Sequence, residues 1–400
     1  MRICLIVDCY LPSSKSSAKL MSDLAGQYAS QGHSVTVVTP DETLRSKCSL
    51  SCADGVSVLR VRSGRIKGAA LTQRGLNEAM LSWVLWRAGR KHFRANPCDL
   101  IVFYSPSIFF GGLVRRLKKL WDAPAYLILR DIFPQWAVDA GVFRTGGPAW
   151  RFFRKRELAQ YDCADIVAVQ SPGALEYFQS PELAGKHRLE VLYNWAPASE
   201  PDVPETNYRS ELGLDGKIVF FYGGNIGVAQ DMDNIVRLAE ALADQSDVHF
   251  LLMGDGSQAA RLTDLIEAKR LDNIQILPAV GQKEYLGALS EFDVGLISLA
   301  GGLTTQNIPG KLLGYAQNSM PVLASVNPGS DLKEMLESRN AGLVSLNGDD
   351  DQLTGLARRL ASDEELRKTM GANCRLMLDE LFSVEKAADQ ILRSAADVAE

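Results

Sequence analysis

Short apolar runs alternate with amphipathic segments along the whole chain. Residues 2–10 form a nearly continuous apolar run, which is typical of a strand buried on both faces of a parallel sheet. In residues 18–31 the apolar positions recur at helical spacing, and Gly32 follows where helices often end in glycine. Residues 34–39 are the next apolar run. This order predicts two parallel strands joined by a helix.

The same alternation continues through both halves of the chain. In the first half it predicts further strands at 56–61, 99–104, 125–129 and 166–170. In the second half it predicts strands at 218–222, 248–253, 274–277, 294–298, 322–325 and 342–345, followed by helix from 351 to 399. The pattern therefore predicts an α/β protein with two doubly wound, Rossmann-like parallel sheets that face each other. Ligands of such sheets bind at the carboxyl ends of the strands.

A proline-rich segment separates the two halves. Pro197, Pro201 and Pro204 favour an extended and stiff conformation that excludes a helix. The sequence therefore predicts an N-terminal domain at 1–195, a linker at 196–207 and a C-terminal domain at 208–375. Residues 376–400 are predicted to form a helix that packs back across the domains.

The charges are distributed unevenly between the halves. The net charge is −5, but residues 1–195 carry 26 Lys+Arg against 16 Asp+Glu, and residues 196–400 carry 17 against 32. A basic half often contacts an anionic partner. The apolar runs are shorter than the roughly 20 residues that span a bilayer, and the seven cysteines form no regular framework. We therefore expect a cytoplasmic, globular protein.

Two glycine-rich loops follow adjacent predicted strands of the second half. The first contains Gly223, Gly224, Asn225 and Gly227, and the second contains Gly254, Asp255 and Gly256. Glycine lets the backbone approach a ligand closely, at an entropic cost that a simple turn does not require. The alternative interpretation is two tight turns without a ligand.

Residues 308–316 open a helix after the strand at 294–298. Pro309 suits a first helical turn, which would place Lys311 in that same turn. A cation at a helix N-terminus is unfavourable unless an anion lies beside it. The sequence therefore predicts a diphosphate bound at Lys311, with an exposed and merely tolerated lysine as the alternative.

Two pairs of residues in the first half are further candidates for ligand contacts. Arg130 and Asp131 follow the strand at 125–129, where they could orient a sugar hydroxyl and neutralise phosphate, or form a plain surface pair. Ser16 and Ser17 lie in the first loop, at the start of a helix whose free amides suit a phosphate or a sugar hydroxyl. The alternative there is a helix capped by one of the two serines.

Three basic stretches of the first half contain aromatic residues at helical spacing. They are residues 87–94, 115–121 and 150–156. This composition favours helices that lie on an anionic membrane surface. No recognised nucleic-acid motif accompanies the stretches, so we expect no nucleic acid; solvated helix faces are the other alternative.

Several catalytic patterns are absent from the sequence. It contains no GxGxxG, GxxxxGK[ST], HExxH or GxSxG pattern, and its four histidines are widely separated. Asp231 and Asp233 resemble a metal-binding DxD pair, but their position at a helix start favours capping. We therefore expect no metal.

An ordered series of motifs runs along the whole chain. It comprises GHSVTVVTP at 32–40, RDIFP at 130–134, NW at 194–195, GNIGVAQ at 224–230, GDG at 254–256 and IPGKLL at 308–313. The series resembles the retaining GT-B glycosyltransferases of family 4. It is most similar to the branch that builds O-antigen, capsule and colanic acid, which includes N-acetylfucosamine transferases.

The resemblance implies transfer of a sugar, such as an N-acetylated hexosamine or deoxyhexosamine, from a nucleotide diphosphate with retention and without metal or other cofactor. A UDP-sugar is the preferred donor. The acceptor would be a polyprenyl-diphosphate-linked sugar at the inner face of the plasma membrane, where the protein would be peripheral. The implied donor contacts are Gly223, Gly224, Asn225, Gly227, Gly254, Asp255, Gly256, Gln306, Ile308, Pro309, Gly310 and Leu312.

The implied catalytic residues are Lys311 and Arg130, which would stabilise the diphosphate, and Asp131, which would orient sugar hydroxyls. The acceptor side would include Ser16 and Ser17. Fixed amide groups and Lys311 would stabilise charge on the leaving diphosphate.

The chain departs from the family pattern at the donor site. Many members carry two acidic residues in an E-x7-E pattern, where this chain has Gln306 and Gly314. The Arg and Lys that commonly flank the glycine loop correspond to Asn225 and Gln230. Two alternatives therefore stay open: a GT-B-like nucleotide-sugar 2-epimerase, and a non-catalytic scaffold that binds a nucleotide sugar.

Overall fold

The computed structural model describes residues 1–13, 15–65, 71–139, 142–198, 203–303 and 308–399. The chain forms two compact units. Unit 1 comprises Met1–Asn194 and Val384–Glu400, and unit 2 comprises Trp195–Ser383. The C-terminal segment therefore returns to the first unit.

Unit 1 is built on an eight-stranded sheet with the order β3-β4-β2-β1-β5-β6-β7-β8. All neighbouring strands are parallel except the β3–β4 pair. The strands are β1 (Arg2–Ile6), β2 (Ser34–Asp41), β3 (Cys48–Ala53), β4 (Val56–Arg62), β5 (Leu100–Tyr104), β6 (Ala125–Leu129), β7 (Ile166–Val169) and β8 (Arg188–Val191). The helices are α1 (Ser16–Ser30), α2 (Leu71–Ala79), α3 (Leu81–Ala95), α4 (Gly111–Trp121), α5 (Gln135–Asp139) and α6 (Pro148–Tyr161).

Unit 2 contains a six-stranded parallel sheet with the order β11-β10-β9-β12-β13-β14. This is the doubly wound order, in which the strand order reverses between β9 and β12. The strands are β9 (Ile218–Gly223), β10 (Val248–Met253), β11 (Ile274–Leu277), β12 (Val294–Ser298), β13 (Val322–Val326) and β14 (Gly342–Leu346). The helices are α7 (Tyr208–Glu211), α8 (Asp233–Ala241), α9 (Ala259–Lys269), α10 (Gln282–Leu289), α11 (Lys311–Gln317), α12 (Asp331–Ser338), α13 (Asp350–Ser362) and α14 (Glu364–Met377).

The last helix, α15 (Val384–Ala399), packs in unit 1. Tyr28 on α1 lies with its hydroxyl 3.5 Å from the carbonyl oxygen of Ala388, and Gln390 donates to the carbonyl oxygen of Val191 at 2.8 Å. The predicted boundary at 375 therefore differs from the observed one, which lies after Ser383. Residues 376–383 belong to unit 2, and only the remainder forms the returning helix.

The start of the predicted linker also belongs to unit 2. Ala196 donates its amide to the carbonyl oxygen of Phe382 at 2.8 Å, and Gln317 donates to the carbonyl oxygen of Pro197 at 3.1 Å. Residues 199–202 lie outside the described part of the chain. The segment at 196–198 is therefore docked against its own unit.

The sequence pattern did not predict two strands. The missed strand β3 is exposed at every position and pairs antiparallel with β4, so it carries no hydrophobic periodicity. Its only signal is the Asp54–Gly55 turn, where both residues have positive φ angles of 51° and 77°. The other missed strand is β8, a short strand at the opposite edge of the sheet.

The predicted helical segment at 351–399 is interrupted twice. Asp363 separates α13 from α14, and its side chain accepts a hydrogen bond from the amide of Leu366 at 2.9 Å. Ser383 has an extended backbone and precedes α15. The segment therefore comprises α13, then α14 continued by a π-helical turn at Leu378–Phe382, and finally α15.

Candidate functional site

The two glycine-rich loops of unit 2 pack directly on each other. Gly224 donates its amide to the carbonyl oxygen of Met253 at 2.9 Å, and Ile226 donates to the carbonyl oxygen of Asp255 at 2.8 Å. A Cβ atom at Gly254 would collide with the carbonyl oxygen of Gly224, and one at Gly256 would collide with that of Ile226. Backbone-to-backbone contact between the loops therefore accounts for both glycines.

Gly223 and Gly224 have different surroundings. Gly223 ends β9, and a Cβ atom there would collide with the ring of Tyr285 on α10. Gly224 has a φ angle of +128°, which L residues rarely adopt, and a Cβ atom on it would lie 3.8 Å from Cε of Lys311. The loop therefore brings its backbone close to Tyr285 on one side and to Lys311 on the other.

Asn225 and Gln230 form a neutral pair beside this loop. Asn225 donates its side-chain amide to Oε1 of Gln230 at 2.8 Å, and the same oxygen accepts the amide of Gly227 at 3.2 Å. Gly227 leaves room for this pair, since a Cβ atom there would lie 2.6 Å from Nδ2 of Asn225. Similar sequences often carry cations at these two positions. Here the side-chain amides of Asn225 and Gln230 hold the loop by hydrogen bonds instead.

Lys311 is the first residue of α11, as the sequence predicted for the first turn. Its ammonium lies 3.5 Å from the centroid of the Tyr222 ring, which is a cation–π contact. Burial lowers the pKa of Lys311 to about 7. Within the described ranges, no carboxylate lies at ion-pair distance from this ammonium. Lys311 is therefore a desolvated cation that an anionic ligand can approach.

The residues around Lys311 have mixed environments. Pro309 precedes the helix by two residues, rather than lying in its first turn, and its carbonyl oxygen accepts the amide of Leu312 at 3.1 Å. The Leu312 side chain is fully buried, and its amide already donates to Pro309. Both groups therefore have structural partners. Ile308 is half-buried and Gly310 is exposed. Gln306 lies outside the described residues.

Gly314 lies against α10. A Cβ atom on Gly314 would lie 3.0 Å from Cδ1 of Leu289 and 3.6 Å from Cε1 of Tyr285. The Tyr285 phenol thus fills the space between Gly223 and Gly314. An acidic side chain at 314 would need Leu289 or Tyr285 to move.

Arg130 and Asp131 follow β6 in unit 1, at the carboxyl end of the sheet. Arg130 is 6% exposed and donates to the carbonyl oxygen of Tyr193 at 3.2 Å. The pKa of Asp131 is raised, first by burial and then by the negative charge of Asp8, while Arg130 opposes the shift. The pair is therefore a partly buried charged group and not a solvated surface pair.

Asp8 is a polar residue of this region that the sequence analysis did not identify. It follows β1, and its carboxylate lies 3.9 Å from the ammonium of Lys15. Its signal in the sequence was a single charged residue within the otherwise apolar run of residues 3–10. Asp8, Asp131 and Arg130 therefore form an electrostatically coupled group in unit 1.

The two serines of the first loop do not cap α1. Lys15 is the capping residue, and no side chain accepts a hydrogen bond there. The capping interpretation is therefore wrong. Ser17 is buried, with its hydroxyl 3.1 Å from the Cys9 thiol, whereas Ser16 is exposed. Only Ser16 has a side chain open to solvent.

Asp231 and Asp233 were expected to cap a helix, but their side chains have other partners. The Asp231 carboxylate accepts from Asn347 at 2.9 Å, and Asp233 forms an ion pair with Arg261 at 2.7 Å. No side chain caps α8, because the preceding residue is Met232. Among the described residues, no group of three or more His, Cys, Asp or Glu side chains could hold a metal ion.

The three basic stretches lie on neighbouring helices of unit 1. Helix α4 packs against both α3 and α6. Several of the basic residues have structural roles, since Lys118 pairs with Asp165 at 2.7 Å and Arg154 is buried against Glu157 at 2.6 Å. The exposed basic residues of the three helices are Arg87, Arg90, Lys91, Arg94, Arg115, Arg116, Lys119, Arg151, Lys155 and Arg156.

Two aromatic rings are exposed on these helices. Trp83 is 46% exposed with the Arg87 guanidinium 5.2 Å from its ring, and Phe152 is 40% exposed with Arg156 at 5.3 Å. Trp121 instead donates its indole N–H to the carbonyl oxygen of Phe93. No described helix is long and apolar enough to cross a membrane.

Two Rossmann-like parallel-sheet domains of this topology define the GT-B class, as the sequence predicted. The family model described as "Glycosyl transferase 4-like domain" matches residues 17–195, and "Glycosyl transferases group 1" matches residues 204–377. The chain therefore belongs to the family 4 glycosyltransferases.

Two curated relatives agree with this assignment. The chain is 24% identical to the probable glycosyltransferase WbjE of Pseudomonas aeruginosa over 226 residues. It is 24% identical to the putative colanic acid biosynthesis glycosyl transferase WcaI of Escherichia coli K12 over 221 residues. Each alignment covers 54% of both proteins, so the chain spans about half the length of the curated relatives it matches.

Two solved structures share the fold over nearly the whole chain. Sucrose-phosphate synthase from Thermosynechococcus elongatus has a TM-score of 0.71 and 17% identity, with 99% of this chain and 98% of that chain covered. HepE from Anabaena in complex with UDP has a TM-score of 0.65 and 15% identity, with 99% and 100% covered. At these identities the likeness shows the fold alone.

Proposed function

We propose that this protein transfers a sugar from a nucleotide-diphosphate donor to a lipid-linked glycan during surface polysaccharide biosynthesis. The observation that carries the proposal is Lys311, a desolvated ammonium beside the positive-φ backbone of Gly224 at the carboxyl end of β9. This cation has no carboxylate at ion-pair distance among the described residues, so it favours an anionic ligand. The UDP bound to HepE supports a uridine nucleotide as that ligand.

The proposed chemistry requires stabilisation of a leaving diphosphate. The acceptor oxygen forms a bond to the anomeric carbon while the bond from that carbon to the diphosphate oxygen breaks. The departing phosphate oxygen takes the acceptor proton, and the configuration is retained. Lys311 and the backbone of the Gly223–Gly227 loop would stabilise the negative charge on the diphosphate, and the proposal needs no metal and no other cofactor.

The acceptor is proposed to bind in unit 1, as a polyprenyl-diphosphate-linked sugar. The Asp131 carboxylate, half-buried after β6, would accept a hydrogen bond from a sugar hydroxyl. Arg130 beside it would favour a phosphate, and the exposed hydroxyl of Ser16 is a further candidate contact. The name of WcaI supports a surface polysaccharide as the product.

Membrane association is proposed for the face formed by α3, α4 and α6. These helices carry exposed Lys and Arg side chains together with two exposed rings, Trp83 and Phe152, each of which lies beside an arginine. This combination suits the headgroup region of an anionic membrane, where amphipathic rings and cations are both stabilised. The proposed location is the cytoplasmic face of the plasma membrane.

The proposal is tested by calorimetric titration of the full chain with UDP, GDP and their sugars, with magnesium and with EDTA. We expect saturable binding of one nucleoside diphosphate that magnesium does not strengthen, followed by sugar transfer to a polyprenyl-diphosphate acceptor. Binding without turnover on a verified acceptor would favour the non-catalytic scaffold, which the neutral Asn225–Gln230 pair supports. Turnover of free nucleotide sugar without acceptor would favour the epimerase.

A further inference from the structure

We infer that Tyr222 is a positioning residue that joins Lys311 to the glycine loop and so prepares both for a nucleoside diphosphate. The inference rests on the proposed function, because it assigns a partner to the same anion site. Tyr222 is the next-to-last residue of β9 and is fully buried. Its ring contacts Lys311, and its hydroxyl contacts the loop.

The ring contact fixes the ammonium of Lys311. The Nζ atom lies 3.5 Å from the ring centroid, within the range of a strong cation–π interaction. A lysine side chain has four rotatable bonds, so without a partner its ammonium would sample many positions. The buried ring therefore selects one position for the cation, beside Gly224.

The hydroxyl contact fixes the loop. The Tyr222 hydroxyl donates to the carbonyl oxygen of Asn225 at 2.6 Å. This bond lies next to the Asn225–Gln230 pair, which holds the amide of Gly227. One side chain therefore links the two parts of the structure that would contact the diphosphate.

Among the described residues, Tyr222 and two further tyrosines near this point are neutral near pH 7. Burial raises the pKa of Tyr222, of Tyr285 on α10 and of Tyr315 on α11 well above the ordinary tyrosine value. The ring thus contributes attraction for the cation but no negative charge. An arriving phosphate would therefore attract the ammonium without competition from a carboxylate of the described part of the chain.

Two variants separate the two contacts. Tyr222→Phe keeps the ring and removes the hydroxyl, whereas Tyr222→Leu removes both. Phe220→Leu is the matched control, because Phe220 is a fully buried ring on the same face of β9 and stacks on Phe250 at 5.2 Å. It removes a buried ring of β9 without touching Lys311 or the loop.

The experiment is calorimetric titration of the full chain with UDP between pH 6 and 9. We expect Tyr222→Phe to bind UDP about threefold to tenfold more weakly than the wild type, with the same pH dependence. We expect Tyr222→Leu to lose about a further tenfold, and its binding to decline at a lower pH. In Tyr222→Leu the ammonium of Lys311 would remain buried but lose its attraction to the ring. The pKa of Lys311 should therefore fall further. Phe220→Leu should retain wild-type affinity and pH dependence.

A purely structural role for Tyr222 predicts a different result. Tyr222→Leu and Phe220→Leu would then lower the melting temperature alike and leave the pH dependence of UDP binding unchanged. That outcome would overturn the inference. Equal affinities of the Phe and Leu variants would overturn the ring contact in particular.

A nucleotide-free measurement distinguishes failure of this inference from failure of the proposed function. The ε-carbon resonance of Lys311 is followed by NMR in lysine-labelled protein during a pH titration, with Lys311→Ala to assign it. We expect a lower Lys311 pKa in Tyr222→Leu and an unchanged one in Tyr222→Phe. If neither UDP nor GDP binds the wild type, the proposed function fails. The NMR titration then still decides whether Tyr222 holds Lys311.

Discussion

At the scale of single residues, the lowered pKa of Lys311 is the feature that bears most directly on function. Burial lowers this pKa to about 7, and the Lys311 ammonium lies against the Tyr222 ring. A cation in such a place destabilises the folded protein in the absence of an anion. Lys311 therefore lowers the stability of the ligand-free protein and provides a charge for ligand binding.

Lys311→Met should abolish UDP binding and stabilise the protein at pH 7. The unfolded chain keeps the Lys311 proton up to about pH 10.5, whereas the folded protein releases it near pH 7. The unfolded state thus binds more protons within this window, and wild-type stability rises with pH across it. Urea unfolding at several pH values should show a gap between variant and wild type that is largest at and below pH 7 and shrinks above it.

A matched control for this experiment is Lys283→Met on α10. Lys283 is exposed, so its replacement should change neither UDP binding nor the pH dependence of stability. A Lys311→Met protein that binds UDP normally would remove Lys311 from the site. One that is less stable than the wild type at pH 7 would contradict the desolvation argument.

At the scale of elements, the carboxyl ends of β9 and β10 are joined by contact between their loops. The hydrogen bonds from Gly224 and Ile226 and the absence of side chains at 254 and 256 bring the backbones together. The glycines of the second loop are thus explained by packing, whereas Gly224 of the first loop lies beside Lys311. The sequence pattern could not distinguish these two uses of glycine.

Gly254→Ala should destabilise unit 2 by about 2 kcal/mol or more, because its Cβ atom would displace the Gly224 carbonyl. UDP binding should weaken as well, since the same displacement moves the loop beside Lys311. Urea unfolding and UDP titration measure the two effects. Gly302→Ala is the control, since that glycine has open space around it and should change stability by less than about 0.5 kcal/mol. Wild-type stability of Gly254→Ala would disprove the contact.

At the scale of the whole molecule, the excess of basic residues in the first half collects on helices α3, α4 and α6. The structure divides these residues into two groups. Lys118 and Arg154 pair with acidic residues of their own unit, and the remaining side chains project into solvent. A membrane could attract only the second group.

Replacing Lys91, Arg116 and Lys119 by glutamine should weaken sedimentation with phosphatidylserine vesicles at least about tenfold, because each basic residue near an anionic surface contributes about 1 kcal/mol. UDP affinity should not change, because these residues lie in unit 1. The control replaces Arg270, Lys283 and Arg359 of unit 2, which are also exposed. Equal loss in both triple variants would indicate an effect of net charge alone.

Hydrophobic patterning alone was enough to predict the class of fold and the order of its elements. Strands buried on both faces are continuous apolar runs, so β6, β10 and β12 were predicted with their observed bounds. The ordered motifs also predicted the family, which the domain matches confirm. Hydrophobic periodicity could not reveal β3, because an exposed edge strand has no buried face.

The partners of the candidate residues, in contrast, depend on tertiary packing. Leu312, Ser17, Gly254 and Gly256 are explained by contacts within the fold, while Lys311 has no carboxylate partner among the described residues. Tyr222 gave no signal in sequence, because a tyrosine near the end of a buried strand is indistinguishable from core. Its role depends on Lys311, which lies 89 positions later in the chain. Contacts at such separation arise from packing, and no local pattern encodes them.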